Sequence, residues 1–273
     1  MNNFQEKISN IYGNIELGKI IKSGPVSKIY SCNFNNINSI IRIDLPIASE
    51  LALDRKRELL ILNHISAHNI SPKILYSDVD NGILIWKYIP GDELQISKNN
   101  DLIIQQLGRT LKKLHKIKIP KNSKNNFNDS IIFYKKLLAN SCEEKFLKKG
   151  FELYEEIYEK DLPTVLSHND LNKTNLLLSK KIYFLDWEYV SFNSPYYDIA
   201  SIVASFNLND HDVTTLLKEY SDDLYKICPK KLNKWVNFTY YLDYIWRKVI
   251  VKKENSYNKA MKLHEIEHIL QNL

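Results

Sequence analysis

Two apolar runs, Leu176-Leu177-Leu178 and Ile182-Tyr183-Phe184-Leu185, are separated only by Ser179-Lys180-Lys181, with Asn175 before them and Asp186 after them. Short runs joined by a polar turn fold as a β-hairpin, and a hairpin returns its two ends to the same edge of a sheet. Asn175 and Asp186 lie at nearly the same distance from the turn, so their oxygens can face one point. Two hard oxygen ligands, completed by phosphates and water, suit Mg²⁺.

The rest of the chain divides by pattern. Strand-like segments at 15–21, 27–33 and 39–43 are broken by Ser23-Gly24-Pro25 and Asn35-Asn36, which is turn chemistry. Spacing predicts a helix over 49–64, then strands at 73–77 and 83–88 around Asn81-Gly82, a hairpin signal. Beyond Pro90-Gly91 helical spacing dominates, at 102–114, 130–139, 143–159 and most of 195–272, with a Lys/Asn-rich loop at 121–126. A β-rich segment followed by a helical one reads as α+β, and no internal repeat points to a solenoid.

With 273 residues and 44% hydrophobic content, the chain can bury a large core and suits two lobes. Its formal charge of +6 comes from scattered lysine pairs such as Lys112-Lys113 and Lys252-Lys253, not from a basic face or tail, so no nucleic-acid partner is expected. Cys32, Cys142 and Cys228 are odd in number and far apart, which fits a reducing compartment. Residues 1–7 carry no leader pattern, and no apolar run is long enough to span a bilayer. The expectation is a cytoplasmic protein with no membrane partner.

The loop entering the hairpin reads Leu166-Ser167-His168-Asn169-Asp170-Leu171-Asn172-Lys173-Thr174-Asn175. A carboxylate such as Asp170, beside a metal, can accept or orient the proton of an attacking hydroxyl. His168 completes the catalytic pair, bracing the loop by hydrogen bonds. The spacing H-x-D-x-x-x-x-N, then a hydrophobic hairpin and Asp, is the skeleton of a kinase catalytic loop with its metal-binding Asp. The bland alternative is a polar loop before a surface hairpin.

The N-terminal half offers matching cofactor-binding parts. Gly24 and Ser27 sit in a turn where a phosphate-covering loop belongs, although it reads equally as an ordinary hairpin turn. Arg42 ends an apolar strand, and Glu58 on the next helix can pair with it; otherwise both are solvated charges. Lys87, Tyr88 and Ile89 would join the lobes and present backbone groups to an adenine. The fold expected is α+β, protein-kinase-like and two-lobed: a small β-rich, nucleotide-binding N-lobe at 1–88 and a larger helical, catalytic and substrate-binding C-lobe at 89–273.

With Leu185-Asp186-Trp187-Glu188-Tyr189, the 166–175 loop resembles the choline/ethanolamine kinase and bacterial thiamine kinase branch of the aminoglycoside-phosphotransferase-like kinases. The likeness runs from the Arg42 strand to Asp198 of Pro195-Tyr196-Tyr197-Asp198. It implies Asp170 as catalytic base, Asn175 and Asp186 as Mg²⁺ ligands, and Arg42 at the ATP phosphates. It also implies Glu188, and beside it Trp187, near metal or substrate, with Asp198 as a loop-supporting acid. Two departures stand out: the nucleotide loop is poor in glycine, and 201–206 lacks the acidic residue that many choline kinases carry.

A cationic alcohol needs aromatic faces or carboxylates, because a quaternary ammonium donates no hydrogen bonds. Asp243, Tyr244 and Trp246 lie on a helical stretch and are expected to line such a pocket, although an aromatic stripe also suits a core. The function read is an ATP-dependent kinase acting on choline, ethanolamine or thiamine. The alternatives are an aminoglycoside or sugar-amine phosphotransferase, or a catalytically inactive kinase-like binding module. His264-Glu265-Ile266-Glu267-His268 matches H-E-x-x-H, but residues 269–273 supply no third zinc ligand, so it reads as a solvated terminal helix.

Overall fold

The computed structural model describes residues 8, 11, 13–51, 53–96, 100–119, 126–141, 143–159, 163–221, 226–254 and 261–273. They fall into two compact units, Met1–Gly91 and Asp92–Leu273. Cys142, the first seven residues and most of the 121–126 loop lie outside the described residues.

The first unit is an antiparallel sheet of β1 (Ile15–Ser23), β2 (Ser27–Phe34), β3 (Ile37–Asp44), β4 (Ile74–Asp78) and β5 (Ile83–Lys87), in the order β1-β2-β3-β5-β4. Central β3 has neighbours on both sides and is buried from Ser39 onward. Its period of two sends Ile41 and Ile43 into a core with Cys32, Phe34, Ile83 and Ile85, and turns Arg42 and Asp44 to the opposite face. The helix expected from residue 49 begins later, as α1 (Arg55–Ile65), because the Asp54 carboxylate caps the Arg57 N–H and fixes the start there. Pro46 instead opens a short 3₁₀ turn, Pro46–Glu50.

The second unit is mainly helical: α2 (Asp101–His115), α3 (Phe127–Leu137), α4 (Lys145–Ile157), α5 (Pro195–Phe206), α6 (Asp210–Tyr220), α7 (Pro229–Lys253) and α8 (Leu263–Gln271). Two small antiparallel sheets carry the loop segments, one of β6 (Asp92–Glu93), β8 (Leu176–Leu178) and β9 (Ile182–Phe184), the other of β7 (Val165–Ser167) and β10 (Ser191–Asn193). None of the described helices is long and apolar enough to cross a membrane. Cys32 and Cys228 are free thiols.

Ile104, Leu107, Leu111 and Leu114 recur at helical spacing on α2 and are fully buried. Gly108 lies on the same side, where an added Cβ would stand 2.6 Å from the carbonyl oxygen of Leu216 on α6. Glycine here permits close approach of two helix backbones. A helix interior gains about 1 kcal/mol from Gly to Ala, but overpacking against rigid backbone costs about 1–3 kcal/mol. Gly108→Ala is therefore expected to lower the chemical-denaturation midpoint. An unchanged or raised midpoint would show that the α2–α6 contact has slack.

Candidate active site

The hairpin forms where the spacing placed it. Leu176 pairs with Phe184, and the Leu185 N–H donates to the Asn175 carbonyl at 2.9 Å, so 175 and 185 close its open end. Asp186 follows at φ 60°, a left-handed conformation uncommon for a residue with a Cβ and frequent at functional turns.

Asp170 is anchored at both carboxylate oxygens. The Asn175 side-chain amide donates to its Oδ2 at 2.6 Å and to its backbone carbonyl at 2.9 Å, while the Asn172 amide donates to its Oδ1 at 2.8 Å. Asn172 is fixed in turn, accepting from the Thr174 N–H and hydroxyl. Asn175 is 1% exposed, so its amide is held inside the loop. Asn172 escaped the sequence reading, although a polar residue two positions from Asp170 was a visible signal.

His168 is fully buried and braces the loop from below. Its Nε2 lies 2.8 Å from the Leu185 carbonyl, tying the loop to the strand end before Asp186. Its ring packs 4.5 Å from that of Trp187. Trp187 is a correction: it is 2% exposed, and its indole N–H donates to the Phe184 carbonyl at 2.9 Å, so it supports the loop and does not line a pocket.

Asp198, also fully buried, accepts the N–H of His168 on Oδ2 at 2.8 Å and the N–H of Asn169 on Oδ1 at 2.9 Å. Burial alone would raise its carboxyl; the hydrogen bonds from His115 and from the His168 backbone outweigh burial and hold it below its ordinary 3.8. Where many choline kinases carry an acid, Ser201 donates to the Leu171 carbonyl and Ser205 accepts the Lys173 N–H. These hydroxyls tie α5 to the loop that carries Asp170.

The expected pocket on α7 splits. The Trp246 indole N–H donates to the Tyr189 hydroxyl at 2.9 Å. Enclosure pushes the Tyr189 phenol well above its ordinary value, and the charges of Glu188 and Asp170 and the phenol of Tyr134 add to this, against the Trp246 hydrogen bond. Glu188 likewise acts on Tyr134 of α3. The Asn169 amide also donates to the Tyr189 carbonyl at 2.9 Å, which ties the Tyr189–Trp246 pair to the loop that carries Asp170. Tyr244 is a second correction: it is 3% exposed, packs edge-on to Phe146 and bonds Glu267 of α8, on the core side of α7. Asp243 is clasped by Arg247 at 2.9 and 3.0 Å. Tyr134 carried no local sequence signal.

The first unit presents its own cluster. Arg42 reaches Glu58 through two hydrogen bonds of 2.7 Å, as the spacing predicts. Arg55 clasps Asp44 at 2.7 and 2.9 Å and touches Glu58 at 3.0 Å. Asp44 and Arg55 were overlooked, although strand period two and helix spacing both pointed to them. The Gly24 N–H donates to the Ser27 carbonyl, and a Cβ on Gly24 would meet nothing nearer than 3.6 Å. The turn does not need glycine for its own geometry, leaving room for a ligand to approach the backbone. Ser27 is buried at the start of β2. Lys87 and Tyr88 require a correction: their N–H groups already donate to the carbonyls of Lys73 and Asn38 inside the unit, so those donors are committed, and Ile89 follows them.

Asn175 and Asp186 fit Mg²⁺ by donor chemistry. An amide oxygen and a carboxylate are hard ligands, and the described residues hold no cluster of three or more His, Cys, Asp or Glu side chains fit for a metal. An incomplete protein shell of this kind suits an ion that arrives with nucleotide phosphates and keeps its waters. In the H-E-x-x-H stretch of α8, Glu265 pairs with Lys262 at 3.0 Å.

A sequence model of the choline/ethanolamine kinase family matches residues 18–272. The chain belongs to the choline/ethanolamine kinase family. As a member, it is a phosphotransferase with an alcohol group as acceptor and uses ATP. It is 28% identical to a LicA homolog of Mycoplasma capricolum over 180 residues, 64% of this chain and 70% of the relative. It is 31% identical to a probable ethanolamine kinase of Arabidopsis thaliana over 171 residues, 56% of this chain and 45% of that protein. The fold matches the crystal structure of the choline kinase LicA from Streptococcus pneumoniae, with a TM-score of 0.76 at 19% identity, covering 100% of this chain and 99% of the other. This kinase-like fold is α+β, with an antiparallel sheet in the first unit and helices in the second.

Proposed function

We propose that this kinase transfers the γ-phosphoryl group of ATP to the hydroxyl of choline, with ethanolamine and thiamine as lesser acceptors. One observation carries the choice: Trp246 bonds Tyr189, which directly follows Glu188 and is held by the Asn169 amide to the loop carrying Asp170. A quaternary ammonium cannot donate hydrogen bonds, so aromatic faces and nearby negative charge are what recognise it. A primary ammonium would instead seek direct acceptors, and an aminoglycoside would call for several carboxylates.

In the reaction, Asp170 accepts the proton of the alcohol as the hydroxyl oxygen attacks the γ-phosphorus. The bond between that phosphorus and the β–γ bridging oxygen breaks, and ADP leaves. Asn175 and Asn172 hold the base in one orientation so that no reorganisation is needed at the moment of transfer. Asn175 and Asp186 would hold Mg²⁺, which neutralises charge on the phosphates. Arg42, oriented by Glu58, supplies a permanent positive charge for the nucleotide phosphates.

Desolvated cation–π contact is worth about 2 kcal/mol, which corresponds to roughly 30-fold in affinity. Trp246→Leu is expected to raise the KM for choline by about that factor while the KM for ATP holds. Against 3,3-dimethylbutan-1-ol, the uncharged isostere, the wild-type protein is expected to prefer choline strongly. Equal turnover of the two alcohols, or an unchanged choline KM in the folded variant, would overturn the assignment.

A further inference from the structure

Asn169, immediately before Asp170, sits at φ 64°, in the sparsely populated left-handed region. The two peptide N–H groups leading to Asp170, those of His168 and Asn169, are both held by the one carboxylate of Asp198. That carboxylate is itself held from behind. His115 Nε2 lies 3.1 Å from Asp198 Oδ2, and His115 Nδ1 lies 2.7 Å from the Tyr220 hydroxyl. All three side chains are buried, on α2, α5 and α6.

The direction of the chain follows from its donors. A carboxylate only accepts, so His115 Nε2 carries the hydrogen. In a neutral imidazole Nδ1 then accepts, and the Tyr220 hydroxyl donates to it. The backbone approach at Gly108 and Leu216 brings α2 and α6 together, with His115 and Tyr220 at the C-terminal ends of the two helices.

We propose that Tyr220 is a positioning residue for phosphoryl transfer: it fixes the tautomer of His115 and so the orientation of Asp198, whose carboxylate holds the strained backbone that places Asp170. This rests on reading Asp170 as the base. A bond chain that only stabilised the fold would lower the melting temperature without touching the chemical step.

The test compares Tyr220→Phe, His115→Leu and His115→Gln in kcat, in both KM values and in melting temperature. Transfer is measured to whichever alcohol the wild-type protein turns over, so a mistaken acceptor leaves the test intact. Misplacing a reacting group slightly costs up to about 100-fold, and a loss seen in kcat alone marks an interaction made in the transition state. Tyr220→Phe is expected to lower kcat about tenfold and His115→Leu up to about 100-fold, each with both KM values within about twofold. His115→Gln, whose amide can both donate and accept, is expected to recover most of what His115→Leu loses.

Wild-type kcat in folded Tyr220→Phe would overturn the proposal. So would a failure of His115→Gln to exceed His115→Leu. If His115→Leu does not fold, Tyr220→Phe decides, because it removes one oxygen and keeps the shape. Asp170→Ala, run alongside, reports separately on the base.

Discussion

Asp170→Ala is expected to lower phosphoryl transfer by about two to four orders of magnitude, the range for loss of a positioned general base, while nucleotide affinity changes little. The size follows from how the side chain is held. Asn172 and Asn175 each donate to one of its oxygens, at 2.8 and 2.6 Å, so the carboxylate is oriented before any substrate arrives. Removing it leaves two amides aimed at an empty position and no group to take the hydroxyl proton. Nucleotide affinity is expected to survive because the Arg42 cluster, the proposed phosphate contact, is held by Glu58 and not by Asp170. Stopped-flow nucleotide binding and steady-state turnover on one preparation separate the two effects. A variant retaining a tenth or more of the wild-type rate would move the base elsewhere.

Glu58→Ala is expected to cost about 3–5 kcal/mol of stability, the range for removing one partner of a buried ion pair. Arg42 and Glu58 are 4% and 2% exposed, and with Arg55 and Asp44 they form a ring of two positive and two negative charges. Without Glu58, two arginines face one carboxylate and the Arg42 side chain stays buried. Desolvation, not loss of two hydrogen bonds, sets the magnitude. The double variant Arg42→Met with Glu58→Met is expected to regain most of that stability and none of the activity, because apolar side chains fill the space but cannot hold phosphate. Urea unfolding of the single and double variants provides the comparison. A Glu58→Ala cost below about 1 kcal/mol would show that the cluster is solvated after all.

The catalytic loop was legible because its constraint is local. A hairpin fixes the relation of residues on either side of its turn, so the spacing of Asn175 and Asp186 carried geometric content. The same holds for Arg42 and Glu58, joined across one strand and one helix. Helix α1 was misjudged at its start because apolar spacing continues through 49–54, whereas the Asp54 cap decides where hydrogen bonding begins.

What the sequence concealed lies in contacts between distant elements and in two-sided burial. Helix α7 is buried on more than one side, so its periodicity could not tell Trp246, which meets Tyr189, from Tyr244, which meets α4 and α8. Trp187 stands between Asp186 and Glu188 in a motif rich in functional groups, yet its large apolar surface is spent on packing against His168 and Phe184. His115 and Tyr220 are 105 positions apart, and only the packing of their helices brings them together.

The most direct measurement follows ³²P from γ-labelled ATP into choline, ethanolamine, thiamine and an aminoglycoside, with the purified protein and Mg²⁺. The expected result is label in choline phosphate at the highest rate, abolished in Asp170→Ala. ATP consumption with no label in choline, or label passing to the aminoglycoside in preference, would contradict a cationic-alcohol kinase built on Asp170.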